Sequence, residues 1–504
     1  MDLTKRGKIF LIITLLSFAF SYLLITLNFF PHFGASLSFI IFIGFAYKLK
    51  KEKDMETQIY FIFVLIFSVF IFIRSEPFIT FLNLLAAMFF TLLMCVPGSK
   101  RNLAFLDYMF AMFSFAVRSI FVKESDYYPE LKDERKRFGS VKMAETLFGI
   151  LVSLVLAAVV LPLLSSANPI FKNIISNIFK YIDLKELLEY FGYENIFIWT
   201  VRTIFFFIFI FFIPKVLTVM NRKNVNLFPI KIRPDKLSYK IPQIVLSVII
   251  FIFFLTQIQY YLASDDLLSS MGVSHSERTR EVFAQLSLVA GIILALIYNA
   301  QNKDISGKIL NWTLGIQGIF LTFMAYKSVF EYIDAWGLTY KRLYGLTFAT
   351  WIMGIFILFF INYKRRVPSS RFVGKTIIFS SVLLIFLNIL NFDYLIYHFS
   401  RSKTGQGIDY TYLSSLSPDS LSYKEQFLKL QEVTVLGVFP VSGYDNRNPL
   451  IILYKIEELQ RKYEKFDLRT MSLLDFFQYR QIRSIDTASL RSYYKDVINP
   501  RNLL

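Results

Sequence analysis

Long apolar runs, each about as long as a bilayer is thick and each separated from the next by a short polar loop, constrain this chain most. Hydrophobic residues make up 55% of the 504 residues, and the mean hydropathy is +0.50. The first run, Ile9 to Leu27, follows Lys5, Arg6 and Lys8 like a signal peptide. The run is longer than the hydrophobic region of a signal peptide and lacks a small-x-small cleavage pattern, so we predict that it is retained as the first helix. About eleven spans are predicted: 9–27, 33–47, 59–73, 78–96, 143–164, 196–219, 241–262, 282–300, 311–326, 343–361 and 375–391.

The predicted fold is all-α, a polytopic transmembrane helix bundle with interfacial amphipathic helices and a small helical C-terminal tail. Four segments follow: an N-terminal four-span segment over 1–96, a cytoplasmic interfacial helix and basic loop over 97–142, a seven-span segment over 143–391, and a tail over 392–504. Helix starts in the tail are predicted at Asp409 and at Ser417-Pro418, and an amphipathic helix over Leu450 to Phe466.

The formal net charge of +18 would suit a nucleic-acid partner only if the basic residues shared one soluble face. They lie instead in loops between apolar runs, where the positive-inside rule accounts for them. We therefore expect a lipid bilayer around the chain and no nucleic-acid partner.

One apolar segment, Leu103 to Val122, is long enough to span but carries Asp107 and Arg118. If it lies flat in the interface, alternate loops that collect most of the Lys and Arg all face the cytoplasm, so we favour that arrangement. The N-terminus is then cytoplasmic, and with eleven spans the tail is extracytoplasmic. A second amphipathic helix is predicted over 170–191, on the outer surface.

A polar corner near the middle of the chain joins two apolar segments. Gly337 offers the left-handed residue that ends a helix at about Trp336, and Thr339 offers an N-cap for the next helix. The charged and aromatic side chains around them are not explained by the turn, and they define a candidate binding or clamp cluster. That cluster comprises Glu277, Arg280, Glu331, Tyr332, Asp334, Gly337, Thr339 and Arg342.

Within that cluster, Glu277 and Arg280 are spaced to share one helix face before the eighth span. An ion-pair clamp is the simpler interpretation, and the rim of a binding site is the alternative. Three polar side chains, Arg202, Gln257 and Gln317, fall inside predicted spans, where polar groups are costly and often functional. Arg202 lies near enough to an interface to reach water.

Several of these residues carry a resemblance to a known family. The pattern comprises Ser165 to Phe171, then Glu277, Arg280 and Phe283, then Tyr332, Gly337, Leu338, Thr339 and Arg342, then Asn391 to Ile396, and finally Asp409 to Leu413 with Leu416 to Asp419. It resembles a bacterial multi-pass membrane family catalogued as a domain of unknown function (the 4153/4173 group), over roughly Leu163 to Leu421. The resemblance implies an integral protein of a bacterial envelope and brings no reaction with it.

Recognisable catalytic and cofactor motifs are missing from the sequence: there is no phosphate-binding Gly-rich loop, no His-Glu-x-x-His and no Gly-x-Ser-x-Gly. The three histidines, His32, His275 and His398, show no ligand spacing. Cys95 is the only cysteine and lies in an apolar run. We expect no cofactor and no metal.

Three functional classes stay open. The first and preferred one is a non-catalytic binding, sensing or scaffold protein whose outer corner and tail meet an envelope protein or lipid partner. The second is a transporter of a small or lipid-like solute, which should have polar groups near the membrane midplane; Asn83 and Gln317 are weak candidates for these. The third is an outer-leaflet enzyme with Glu277 or Asp334 as base, and Arg280 and Arg342 binding an anion.

Overall fold

The computed structural model describes residues 3–26, 30–96, 115, 193–220, 236–262, 286–287, 289–297, 305–364, 369–400, 410–428, 450–464 and 467–489. Every regular element in these ranges is helical. The helices are α1 Leu3–Leu24, α2 His32–Leu49, α3 Met55–Ile73, α4 Pro77–Cys95, α5 Tyr193–Met220, α6 Lys236–Leu262, α7 Ile305–Trp336, α8 Tyr340–Lys364, α9 Ser369–Leu390, α10 Phe392–Phe399, α11 Tyr410–Ser414, α12 Leu450–Glu464 and α13 Leu473–Ile482.

Among the described residues, seven helices are long and apolar enough to cross a bilayer: α2, α3, α4, α5, α7, α8 and α9. Shorter apolar stretches, Leu11–Leu24 in α1 and Lys240–Leu255 in α6, correspond to two more predicted spans. The predicted span 143–164 and most of the segment 97–192, including the two predicted interfacial helices, lie outside the described residues. The polytopic all-α fold is confirmed, and the count of eleven stays a prediction.

Two groups of membrane helices form separate apolar cores. The core of the first group is built from α1 to α4 and α5, with Phe67 and Phe90 stacked at its centre. The core of the second joins α6, the helical stretch 289–297, α7 and α8 around Phe356 and Ile293. Helix α9 belongs to both groups, since Val373 packs in the first core and Phe372 in the second.

Amide side chains tie helices together at membrane depth. Asn83 of α4 and Asn388 of α9 exchange two hydrogen bonds, of 2.7 and 2.8 Å, with both side chains buried. Gln243 of α6 donates to Asn311 of α7 at 2.7 Å. Such bonds hold helices together in lipid, where an unpaired amide would find no water. Asn83, the suggested midplane group of a transporter, is therefore engaged in helix packing.

The C-terminal tail folds as a helical cap on one end of the bundle. Its core is a separate cluster that includes Tyr423, Ile452 and Ile456, all less than 2% exposed. A second cluster, with Ile79, Phe392 and Leu416 among its members, joins this cap to the ends of the membrane helices. Two helix starts predicted in the tail are confirmed within a residue, because α11 begins at Tyr410 and Ser417 caps the short 3-10 helix Pro418–Ser420.

The reciprocal Asn83–Asn388 pair predicts a measurable contribution to stability. Asn83→Leu should lower the free energy of unfolding in detergent by about 1 kcal/mol, because Asn388 loses its partner in an apolar environment. The double variant Asn83→Leu/Asn388→Leu should recover part of that loss. Ser381→Ala, which removes a hydroxyl bonded only to its own helix, is the control. A double variant less stable than either single variant would contradict the pairing.

Candidate functional site

The predicted corner exists as a tight turn between α7 and α8. Gly337 adopts φ +80°, and its N–H donates to the Ile333 carbonyl at 2.7 Å, which ends α7 at Trp336 as expected. The Arg342 guanidinium donates to the Gly337 carbonyl and lies 4.2 Å from the centre of the Tyr332 ring. The backbone carbonyl of Thr339 accepts the Leu343 N–H at 3.0 Å at the start of α8. The structure thus brings Tyr332, Gly337 and Arg342 together as a capped turn.

Glu331 and Asp334 are the acidic members of the predicted cluster whose side chains the structure describes. Glu331 lies 3.6 Å from Lys327, four residues earlier on α7, and both side chains are about half exposed (53% and 52%). Asp334 is exposed. Glu277 and Arg280 lie outside the described residues, as does the side chain of Gln257, so the full cluster stays a prediction.

Arg202 binds the C-terminal end of α1. Its Nε and Nη2 atoms donate to the Ile25 carbonyl at 3.2 and 3.3 Å, just beyond the end of α1, and the guanidinium stacks over Tyr22 at 4.8 Å. Arg469 of the cap donates to the Tyr22 carbonyl at 2.7 Å and stacks over the same ring at 4.3 Å. Two cations at a helix C-terminus complement the helix dipole, so Arg202 has a structural role here.

Gln317, the remaining intramembrane candidate, is 8% exposed and donates to the Ser247 backbone carbonyl at 3.1 Å. This bond joins α7 to α6. Gln317 therefore packs helices in the same way as the Asn83–Asn388 pair.

A buried ion pair that the sequence analysis missed lies where the cap meets the bundle. Arg74, at the turn between α3 and α4, and Asp419 of the cap approach to 3.0 Å between Nε and Oδ2, with side-chain exposures of 3% and 0%. The Asp419 carboxylate also accepts the N–H groups of Ser75 at 2.8 Å and Glu76 at 3.2 Å. A carboxylate held by backbone N–H groups at the start of α4 is further stabilised by the dipole of that helix.

Asn391 connects Arg74, the start of α10 and Asp419. It adopts a left-handed backbone conformation with φ +48° between α9 and α10. Its side chain accepts from Arg74 Nη2 at 3.2 Å and from the Tyr394 N–H at 3.3 Å, and it donates to the Asp419 carbonyl at 2.8 Å.

A second carboxylate, Asp393, is completely buried beside this pair. Its Oδ1 accepts from the Tyr340 hydroxyl and from the Ser417 N–H at 2.7 Å, while Oδ2 has no hydrogen-bond partner among the described residues. Burial, and to a lesser extent the nearby Asp419 charge, raises the pKa of Asp393 to about 6, although the two hydrogen bonds oppose the shift.

Glu76 completes the cluster, which we call the cap joint: Arg74, Glu76, Asn391, Asp393 and Asp419. Glu76 caps α4 by accepting the Ile79 N–H at 2.6 Å, and it also accepts from the Tyr344 hydroxyl at 3.0 Å. Each charged side chain of the joint is less than 7% exposed. These groups are placed to hold the cap on the bundle.

A different feature lies between the two groups of membrane helices. It is an apolar chamber of about 900 Å³, whose described lining comes from α3, α4, the stretch 289–297, α8 and α9. Among the described residues, no group of three or more His, Cys, Asp or Glu side chains could hold a metal ion.

The several long apolar helices and their lipid-type packing define a multi-pass membrane protein. The family model described as a domain of unknown function, DUF4153, matches residues 61–426, and the chain belongs to that family. This match covers most of α3, all of α4 and the cap joint, so it extends beyond both ends of the region 163–421 that carries the resemblance in the sequence. No curated protein and no solved structure matches the chain.

The buried ion pair predicts how the cap is held. Asp419→Asn should lower the free energy of unfolding by about 3 kcal/mol, because Arg74 stays buried without a counter-charge. In the detergent-solubilised protein, protease should also cleave the cap of Asp419→Asn faster than the cap of the natural chain. Glu331→Gln breaks an exposed pair on α7 and should change stability by no more than about 0.5 kcal/mol. Equal effects of the two substitutions would contradict a buried clamp.

The raised pKa of Asp393 predicts a pH dependence with a definite sign. Since the pKa of Asp393 is about 6 in the folded protein and the ordinary pKa of an aspartate is 3.8, the folded state holds more protons between these two pH values. Its contribution to stability is therefore full below about pH 4 and is lost as pH rises through 6. The stability of Asp393→Asn relative to the natural chain should rise by on the order of 3 kcal/mol between pH 4 and pH 7.5 in detergent. If the stability difference between Asp393→Asn and the natural chain does not change with pH, the raised pKa of Asp393 is contradicted.

Proposed function

We propose that this protein is a non-catalytic binding or scaffold protein of the bacterial cytoplasmic membrane, with the cap as a fixed platform on the extracytoplasmic side. The cap joint supports this proposal most directly. Arg74 and Asp419 pair with each other, and the Asp419 and Asp393 carboxylates each accept a backbone N–H, as expected of a permanent attachment rather than of a catalytic centre. A buried pair of this kind favours one docking geometry over others.

The distribution of basic residues supports the orientation. The α2–α3 loop carries Lys50, Lys51 and Lys53 at the end of the bundle opposite the cap. Lysines gather on the cytoplasmic side of membrane proteins, so the cap end would face outward.

The surface of the cap offers contacts for a partner. Tyr454 on α12 and Leu468 before α13 are 59% and 58% exposed, and Phe477 on α13 is 46% exposed. Exposed aromatic and aliphatic side chains of this kind suit a protein or lipid partner in the envelope.

A single labelling experiment tests the orientation and the platform together. Tyr454→Cys in a Cys95→Ser background should react in intact cells with a membrane-impermeant maleimide that carries a photoactivatable diazirine. Photolysis should then give a discrete adduct of the protein. Glu52→Cys, exposed at the opposite end, is the matched control and should react only after permeabilisation.

Two results would contradict the proposal. Reaction of Tyr454→Cys only after permeabilisation would overturn the orientation. Full labelling without a discrete adduct, or the same adducts from Glu52→Cys in permeabilised cells, would overturn the binding platform.

The apolar chamber favours a second candidate, movement of a lipid-like solute. The chamber reaches Leu85 and Met88, near the middle of the nineteen-residue helix α4. A polar solute is less suited to it, since Asn83 and Gln317 are both engaged in helix packing.

A further inference from the structure

The chamber lies at the depth of the lipid hydrocarbon. On α9 its lining runs from Phe372 to Leu384 along one face of the helix. Twelve residues at a rise of roughly 1.5 Å make the chamber about 18 Å long, which exceeds the roughly 15 Å of one hydrocarbon leaflet. Its volume of about 900 Å³ is near the upper end of ligand pockets in proteins.

The few hydroxyls in the described lining are already bonded to the protein. Thr376, Ser380 and Ser381 each donate to a backbone carbonyl four residues earlier on α9, at 3.1, 2.8 and 2.8 Å. Ser380 also accepts the indole N–H of Trp351 at 2.7 Å. The remaining described lining is aliphatic or aromatic, so the chamber suits hydrocarbon and is a poor site for water or for a polar solute.

The exposure of lining residues on α4 and α8 indicates that the chamber opens sideways between these two helices. These helices touch beside the cap, where the rings of Phe78 and Tyr344 are 4.6 Å apart. Deeper in the membrane, lining residues on both helices are exposed: Leu85 at 45%, Met88 at 47% and Phe348 at 45%. An apolar opening at this depth faces the acyl chains of the bilayer.

From this position, lining and opening, we propose that the chamber binds one acyl chain of a bilayer phospholipid, which enters between α4 and α8. The acyl chain would fill the space between the two groups of membrane helices. Helix α9, which packs in both apolar cores, forms one wall of that space. The proposal concerns the membrane bundle alone and is independent of the role proposed for the cap.

Two glycines provide a matched pair of variants. A Cβ added at Gly291, which lines the chamber, meets no atom within 4 Å, and the same is true at Gly44 on α2, which is not among the described lining residues. Gly291→Leu therefore fills the chamber from an open position, and Gly44→Leu adds the same side chain elsewhere. If Gly291→Leu fails to elute as a folded species, Ala86→Phe fills the chamber from α4 instead.

Trp351 lines the chamber and provides the readout. With Trp199, Trp312 and Trp336 replaced by Phe, the full chain in detergent is titrated with a phosphatidylcholine dibrominated in the middle of one acyl chain. We expect saturable quenching of Trp351 at about one lipid per protein, unchanged in Gly44→Leu and reduced at least threefold in Gly291→Leu. A parallel titration with dibrominated stearic acid distinguishes phospholipid from free fatty acid.

Three outcomes would overturn the proposal. Unsaturable quenching that is equal in all variants would mean that Trp351 faces bulk lipid or detergent. No quenching in any variant would mean that the protein itself fills the chamber. Saturation by the free fatty acid alone would exclude phospholipid as the occupant.

Discussion

The buried pair of Arg74 and Asp419 is the interaction on which the arrangement of the two halves of the protein depends. One partner lies in a turn between two membrane helices, and the other lies in the cap. Leaving either charge buried alone would cost about 3 to 5 kcal/mol, which is a large share of the roughly 5 to 15 kcal/mol of stability that a typical protein has. The pair therefore couples the packing of α3 and α4 to the position of the cap.

In the membrane helices, several buried polar side chains bond one helix to another. The amides of Asn83, Asn388, Gln243 and Gln317 join membrane helices, while Arg202 caps the end of α1. In a lipid environment apolar side chains gain nothing by leaving the solvent, so such bonds and close packing supply much of the specificity. The chamber between the helix groups is the exception, as an apolar space that the described side chains leave open.

Much of the fold could be read from the sequence because helix spans and turns are local. Apolar length predicted the spans, and Gly337 predicted the end of α7, since both signals lie within one stretch of chain. The cap joint could not be predicted in this way. Asp393 and Asp419 stood in the family pattern and Arg74 in an apparently ordinary turn, but only the tertiary fold brings them together. Prominent charges such as Glu331 drew attention because they interrupt apolar runs, yet this one lies exposed beside Lys327.

The length of chain between the partners of the cap joint also sets an order of events during synthesis. Ser75 and Asp419, which share a hydrogen bond, are 344 residues apart. At about 5 to 20 residues per second, the ribosome needs on the order of 20 to 70 s to make the intervening chain. Throughout that interval Arg74 has been inserted without its counter-ion, and the neighbouring helix ends must wait at the membrane surface. Quality-control proteases thus have a window in which to recognise a half-built protein.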